Sequence, residues 1–139
     1  MIGLDVGGKR VGVAVASLAA RLPRPLTTLE RGDRFFNQLR ELLQSEAADT
    51  LVVGLPRGME GQHTAQTAEI EAFVRDLQAE LTVPIHLQDE ALTSKQAETE
   101  LEARGRPYQR GDIDALAATY ILQDWLAEHA DTHSRREVT

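Results

Sequence analysis

Two apolar runs, IGLDVG at 2–7 and RVGVAVA at 10–16, are parted only by Gly7-Gly8-Lys9. Glycines between two strand-like runs mark a hairpin, because the tight primed turns that match strand twist need positive φ. This feature commits the N-terminus to an antiparallel pair. LTTLE at 26–30 predicts a shorter third strand after the irregular, proline-containing stretch 17–25, which makes a three-strand meander. The period then changes. Phe35, Phe36, Leu39, Leu42 and Leu43 recur at helical spacing and predict a helix over 33–47, with Asp33 as its N-cap. TLVVG at 50–54 is a short continuous apolar run of the kind buried in parallel sheets. A Gly- and Pro-rich loop follows at 55–62, then a helix over 63–81 carried by Ile70, Phe73, Leu77 and Leu81. VPIHL at 83–87 predicts another strand, with Asp89-Glu90 just beyond its carboxyl end. Thr93 and Gln96 form a capping-box pattern for a third helix that Gly105 stops. After a polar loop at 105–111, Ile113, Leu116, Ala117, Tyr120, Ile121 and Leu126 mark the last helix. A meander followed by βα units implies an α/β fold, a mixed sheet flanked by helices. With 139 residues, the expectation is one domain over 1–130 and a polar tail over 131–139.

Composition narrows the chemistry. There is no cysteine, which removes disulfides, thiolate metal sites and cysteine nucleophiles. No apolar run reaches the roughly 18–20 residues of a membrane span, and Met1 leads straight into the first strand. The expectation is a soluble, cytoplasmic protein with no membrane partner. The net charge of −7 argues at first against nucleic acid. That sum hides an asymmetry. Residues 1–31 hold five basic and two acidic side chains, whereas 41–102 hold three basic and thirteen acidic ones. Arg104, Arg106 and Arg110 form a second basic cluster.

Three acids stand out by context. Asp5 interrupts an apolar strand, where a carboxylate is costly unless paired or bound to a cation. Asp89-Glu90 sit at a strand's carboxyl end, the usual place for function in such sheets. Asp114 lies near the start of the last helix between apolar neighbours. Singly, each has an ordinary reading: a paired strand acid, a loop pair, and a helix N-terminal acid favoured by the macrodipole. Together, three carboxylates repel unless they share a proton or bind a metal. Oxygen ligands without cysteine select Mg²⁺ or Mn²⁺ over a soft-ligand zinc site. Carboxylates holding two such ions about 4 Å apart suit phosphodiester hydrolysis.

Four strings, in order and at these distances, carry a family resemblance: GLDVGGKRVGVAVA at 3–16, VVGLPRGMEGQ at 52–62, DEALTS at 89–94 and DIDALAATYIL at 112–122. Through them the chain resembles the YqgF/RuvX family, described as Holliday-junction-resolvase-like proteins or pre-16S rRNA nucleases with an RNase H-like fold. The resemblance implies a divalent-metal-dependent nuclease acting on structured nucleic acid, in 5′-end maturation of pre-16S rRNA or, alternatively, on branched DNA. It implies that Asp5, Glu90 and Asp114 are an acidic triad binding Mg²⁺ or Mn²⁺. It further places Lys9, Arg10, Arg57, Thr93, Ser94 and Arg110 against a phosphodiester backbone, in a monomer or a homodimer. Two positions depart from the family pattern. Ala91 stands where an arginine usually follows the glutamate, leaving Lys95 or Arg110 to replace it. Asp112 stands where relatives often carry a basic residue, and reads as an extra ligand or a helix cap.

The remaining singled-out residues read as structural. Trp125 and Tyr120 share a helix face with Ile121, His63 starts a helix, His86 lies in a strand, and His129 and His133 lie near the tail. Two other classes of function have weaker support in the sequence. Asp5-Val6-Gly7-Gly8-Lys9 resembles the first phosphate loop of actin-like and sugar-kinase proteins, but the chain is too short for their second domain. A non-catalytic scaffold that keeps the fold has only Ala91 in its favour.

Overall fold

The computed structural model describes residues 1–17, 19–56, 63–90 and 93–129, with the side chains of 93–96 outside that description. Five strands and four helices follow in the order β1 (Ile2–Val6), β2 (Arg10–Val15), β3 (Arg24–Glu30), α1 (Phe35–Ser45), β4 (Leu51–Pro56), α2 (Ala65–Glu80), β5 (Ile85–Glu90), α3 (Thr93–Ala103) and α4 (Arg110–Glu128). The strands form one sheet in the order β3-β2-β1-β4-β5. The meander β1-β2-β3 is antiparallel, while β4 pairs parallel to β1 and β5 parallel to β4. The mixed sheet expected from the sequence is therefore present.

Three expectations need correction. The third strand begins at Arg24 rather than 26 and takes in Pro25, which faces Ala14 where the register shifts. β3 is a sheet edge, where a missing N–H costs no ladder bond. The fifth strand runs to Glu90, so Asp89 and Glu90 lie within it, paired with Leu55 and Pro56. Its polar end belongs to a parallel ladder that the apolar pattern could not mark. Helix α1 starts one residue later than an Asp33 cap requires: its N-cap is Arg34, with no side-chain hydrogen bond. The Thr93 capping box lies outside the described side chains.

The other helix ends have clear causes. Thr64 and Thr67 cap α2 reciprocally, and the fully buried Thr67 hydroxyl also donates to the Pro56 carbonyl at 2.7 Å. Gly105, at φ +69°, follows the end of α3 in the left-handed region that glycine enters freely.

The sheet separates two unlike cores. On one face Ile2, Leu4, Val6, Val11, Val13, Val15, Leu51, Val53 and Leu55 meet α1 and α2 through Phe35, Leu39, Phe73 and Leu77. On the other, small residues such as Ala14 and Ala16, with Val52, admit α4 through Ala118, Ile121, Leu122 and Trp125. Helix α3 packs on α4 through Ala97, Leu101, Leu116 and Ala117. Among the described residues no helix is long and apolar enough to cross a membrane.

Candidate active site

Asp5 sits near the carboxyl end of the central strand β1, half-buried on the face that α4 covers. Its antiparallel partner across the sheet is Gly12. A Cβ built on Gly12 would lie 2.0 Å from the backbone oxygen of Asp114. Only a residue without a side chain lets α4 rest its backbone on β2 there, and that contact sets Asp114 beside Asp5. On the other side, β1 and β4 pair in register through Leu4 and Val53. Continuing one residue puts Gly54 next to Asp5. A Cβ on Gly54 would meet the Cδ1 of Ile121 on α4 at 2.4 Å and the Glu90 carboxylate oxygen Oε2 at 3.0 Å. Asp5 is thus flanked by two strand glycines, each overlain by another acidic residue.

The electrostatics follow. Burial raises the Asp5 carboxyl, and the charges of Glu90 and then Asp114 raise it further, from its ordinary 3.8 to about 8. Asp114 is compensated from elsewhere: the Arg10 Nε donates to its Oδ2 at 3.0 Å. Arg10 opens β2 and, two residues before Gly12, shares its face.

The donor chemistry and the field fit a hard divalent cation: three carboxylates, no sulfur or imidazole among them, around a buried central acid whose ionised form is disfavoured by burial and by its two acidic neighbours. The positions are not those of a closed cage, since no three His, Cys, Asp or Glu side chains among the described residues converge closely enough to hold one ion.

The other expected contact residues spread around this centre. Lys9 is exposed at the hairpin, its carbonyl accepting from the Arg31 N–H at 2.8 Å. Arg110 is exposed in the first turn of α4, one turn before Asp114. Thr93 and Ser94 begin α3. Arg57 and the rest of 57–62 lie outside the described residues, as do Ala91 and His133.

Asp112 acts as a cap: its Oδ2 accepts from the Gln109 backbone N–H at 2.9 Å. His63 pairs with Glu71. His86 and His129 both pack on Trp125, with ring centroids 5.2 and 4.2 Å away. Tyr120 donates to Glu100 on α3. The contacts of these four are with residues other than Asp5, Glu90 and Asp114. The sequence reading overlooked Gly12 and Gly54, whose signal was available: a glycine inside a strand marks close approach of another backbone or group.

Comparison with known proteins gives concordant results. A family model described as "RuvX: Holliday junction resolvase" matches residues 1–128. Curated relatives named "Putative pre-16S rRNA nuclease" include one from Chloroflexus aggregans, 42% identical over 91% of this chain and 92% of that protein. Another, from Moorella thermoacetica, is 41% identical over 91% and 93%. Among solved structures, Thermus thermophilus RuvC aligns with a TM-score of 0.53 at 19% identity, covering 93% of this chain and 95% of that one. The same protein in complex with a Holliday junction substrate aligns at 0.51 and 19%, over 91% and 94%. At that identity the likeness shows the fold, which is RNase H-like.

Proposed function

The chain belongs to the RuvX family, and from that premise we propose a nuclease that hydrolyses phosphodiester bonds in structured nucleic acid, with Mg²⁺ or Mn²⁺ held by Asp5, Glu90 and Asp114. The observation that carries this reading is the pair of strand glycines beside Asp5 that admits Glu90 and Asp114, with the Asp5 carboxyl raised to about 8 by burial first and then by their charges. A bound divalent cation supplies Lewis acidity toward a phosphoryl oxygen and a more acidic attacking water.

The chain's own residues do the rest. Asp5 is fixed by the sheet and positions the centre. Asp114 is fixed by the contact of α4 with Gly12, and Glu90 by its place over Gly54. The rim cations Lys9, Arg10 and Arg110, with Arg57, Thr93 and Ser94, hold the phosphate backbone rather than the bases, so they align a strand without reading its sequence. With a net charge of −7, non-specific binding is weak and its salt dependence modest.

The relatives' name favours precursor 16S rRNA as substrate; cleavage at its 5′ end, in the cytoplasm, by one domain spanning 1–130 is part of the reading proposed. The family description favours a second reading, a four-way DNA junction. Two symmetric cuts would require a two-fold dimer, whereas RNA trimming is open to a monomer. A cleavage panel of precursor rRNA, duplex DNA and four-way junctions with Mn²⁺, run beside Asp5→Asn and with light scattering, tests both. Cleavage of the RNA alone by a monomer selects the first reading, and paired junction cuts by a dimer select the second. Equal cleavage by wild type and Asp5→Asn refutes the mechanism.

A further inference from the structure

Arg10 and Asp114 are 104 residues apart in sequence and meet through a single contact, Nε to Oδ2 at 3.0 Å. The pair is open to water, with side-chain exposures of 37% and 22%. A guanidinium carries five donors in a planar fork shaped for a carboxylate or a phosphate, and here one nitrogen is used on this acid. The partner it holds is a member of the crowded carboxylate group beside Asp5 and Glu90. A positive charge from the protein therefore sits on an oxygen that a cation needs, while no three acids among the described residues close around an ion.

We propose that Arg10 is a positioning residue that couples substrate to metal. It holds Asp114 while no strand is bound, then exchanges that carboxylate for a phosphate oxygen of the arriving strand, which frees Asp114 to complete the cation site. The inference rests on the nuclease reading above and adds an order to it: the strand tightens the metal site, and by reciprocity the metal tightens the strand. The phosphodiester is the right exchange partner because its two non-bridging oxygens share one negative charge and can take two guanidinium N–H groups, as a carboxylate does. The half-exposed pair is also cheap to break, since water competes for both groups. Glu30 is the cross-strand neighbour of Arg10 and is exposed. Glu30→Gln leaves the Arg10–Asp114 pair in place and serves as the control, expected to respond to Mn²⁺ and the hairpin as wild type does.

The test is a titration of Mn²⁺, followed by electron paramagnetic resonance, into wild type, Arg10→Ala and Arg10→Lys. Each is measured alone and with a phosphorothioate RNA hairpin, and Asp5→Asn corrects for metal held by the RNA. Wild type is expected to gain about tenfold in Mn²⁺ affinity on adding the hairpin, within the usual range of such couplings. Arg10→Ala is expected to bind Mn²⁺ tightly without the hairpin and to gain little from it, with Arg10→Lys between the two. A mere clamp between β2 and α4 would lower the melting temperature of Arg10→Ala and leave Mn²⁺ affinity unchanged or weaker; that result overturns the coupling. Equal gains in all three chains overturn it too. Should wild type bind no Mn²⁺ and cleave nothing on the panel, the nuclease reading itself falls.

Discussion

Gly12 and Asp114 touch where a side chain cannot fit: a Cβ on Gly12 would stand 2.0 Å from the Asp114 carbonyl oxygen. The obstacle is helix backbone, which cannot rotate aside as a side chain end can. Gly12→Ala must push α4 off the sheet at the residue that faces Asp5. Overpacking of this kind costs about 1–3 kcal/mol, and a displacement of roughly 1 Å at a catalytic group can cost about a hundredfold in rate. The expected variant folds with a lower melting temperature and a kcat depressed far more than its stability. An activity loss no larger than the unfolded fraction would contradict the placement.

Asp5 predicts how stability follows pH. Its carboxyl titrates near 3.8 when unfolded and about 8 when folded, raised by burial and by Glu90 and Asp114. The folded chain holds the proton more tightly, so this group's contribution is complete below about pH 4 and is lost as pH rises through 8. Without metal, Asp5→Asn should be more stable than wild type at pH 8, and the difference should narrow toward pH 4. Melting curves across that range measure it. The same variant should lose roughly a hundredfold or more in kcat, the scale of a missing electrostatic group in an active site.

Adding Mn²⁺ to wild type below pH 8 should release protons, because the cation replaces the one held by Asp5. Calorimetry in two buffers of different ionisation enthalpy reads the number. Release should fade above pH 8 and be much smaller in Asp5→Asn. Proton release unchanged by that substitution would place the titrating group elsewhere.

Asp112 offers a contrast. It lies two residues from Asp114 but spends its carboxylate on the Gln109 N–H. Asp112→Ala should lose about 0.3–1 kcal/mol, the ordinary value of an acid in the first helical turn, and keep its kcat and Mn²⁺ affinity. A weakened Mn²⁺ affinity would make Asp112 a ligand after all.

Thr67 anchors the end of β4, its buried hydroxyl donating to the Pro56 carbonyl while accepting from the Thr64 N–H. Thr67→Val keeps the shape and strands both partners. The expected loss is about 1–3 kcal/mol, the cost of a buried polar group left unpaired, measured by denaturant unfolding.

The order of elements was legible because each announces itself locally. Gly7-Gly8 marks the hairpin, although neither takes the positive φ of a primed turn; Phe35 to Leu43 mark a helical stripe, and Leu51 to Val53 a buried strand. Asp5 was legible as an acid among apolar neighbours, and Asp114 as one between Ile113 and Ala115 near the start of α4. What brings them together was not. Gly12 reads as one small residue in a run of small residues, and its need to lack a Cβ arises only when α4 arrives from a hundred residues away. Pro25 hid the start of β3 because its tolerance depends on an edge that only the sheet order creates. Arg10 read as a phosphate contact, and its hold on Asp114 is a property of the folded hairpin and helix together.

The two faces of the sheet divide the chain's tolerance of mutation. Beneath α1 and α2, large aliphatic side chains interdigitate, and one can shrink while another grows. Beneath α4, Gly12 is already at the smallest size a residue can have and faces helix backbone, so no compensating exchange exists at that point. A drifting or engineered sequence can therefore rewrite the first face in many small steps. The second is held fixed at Gly12 by space alone, before any demand of chemistry is made on it.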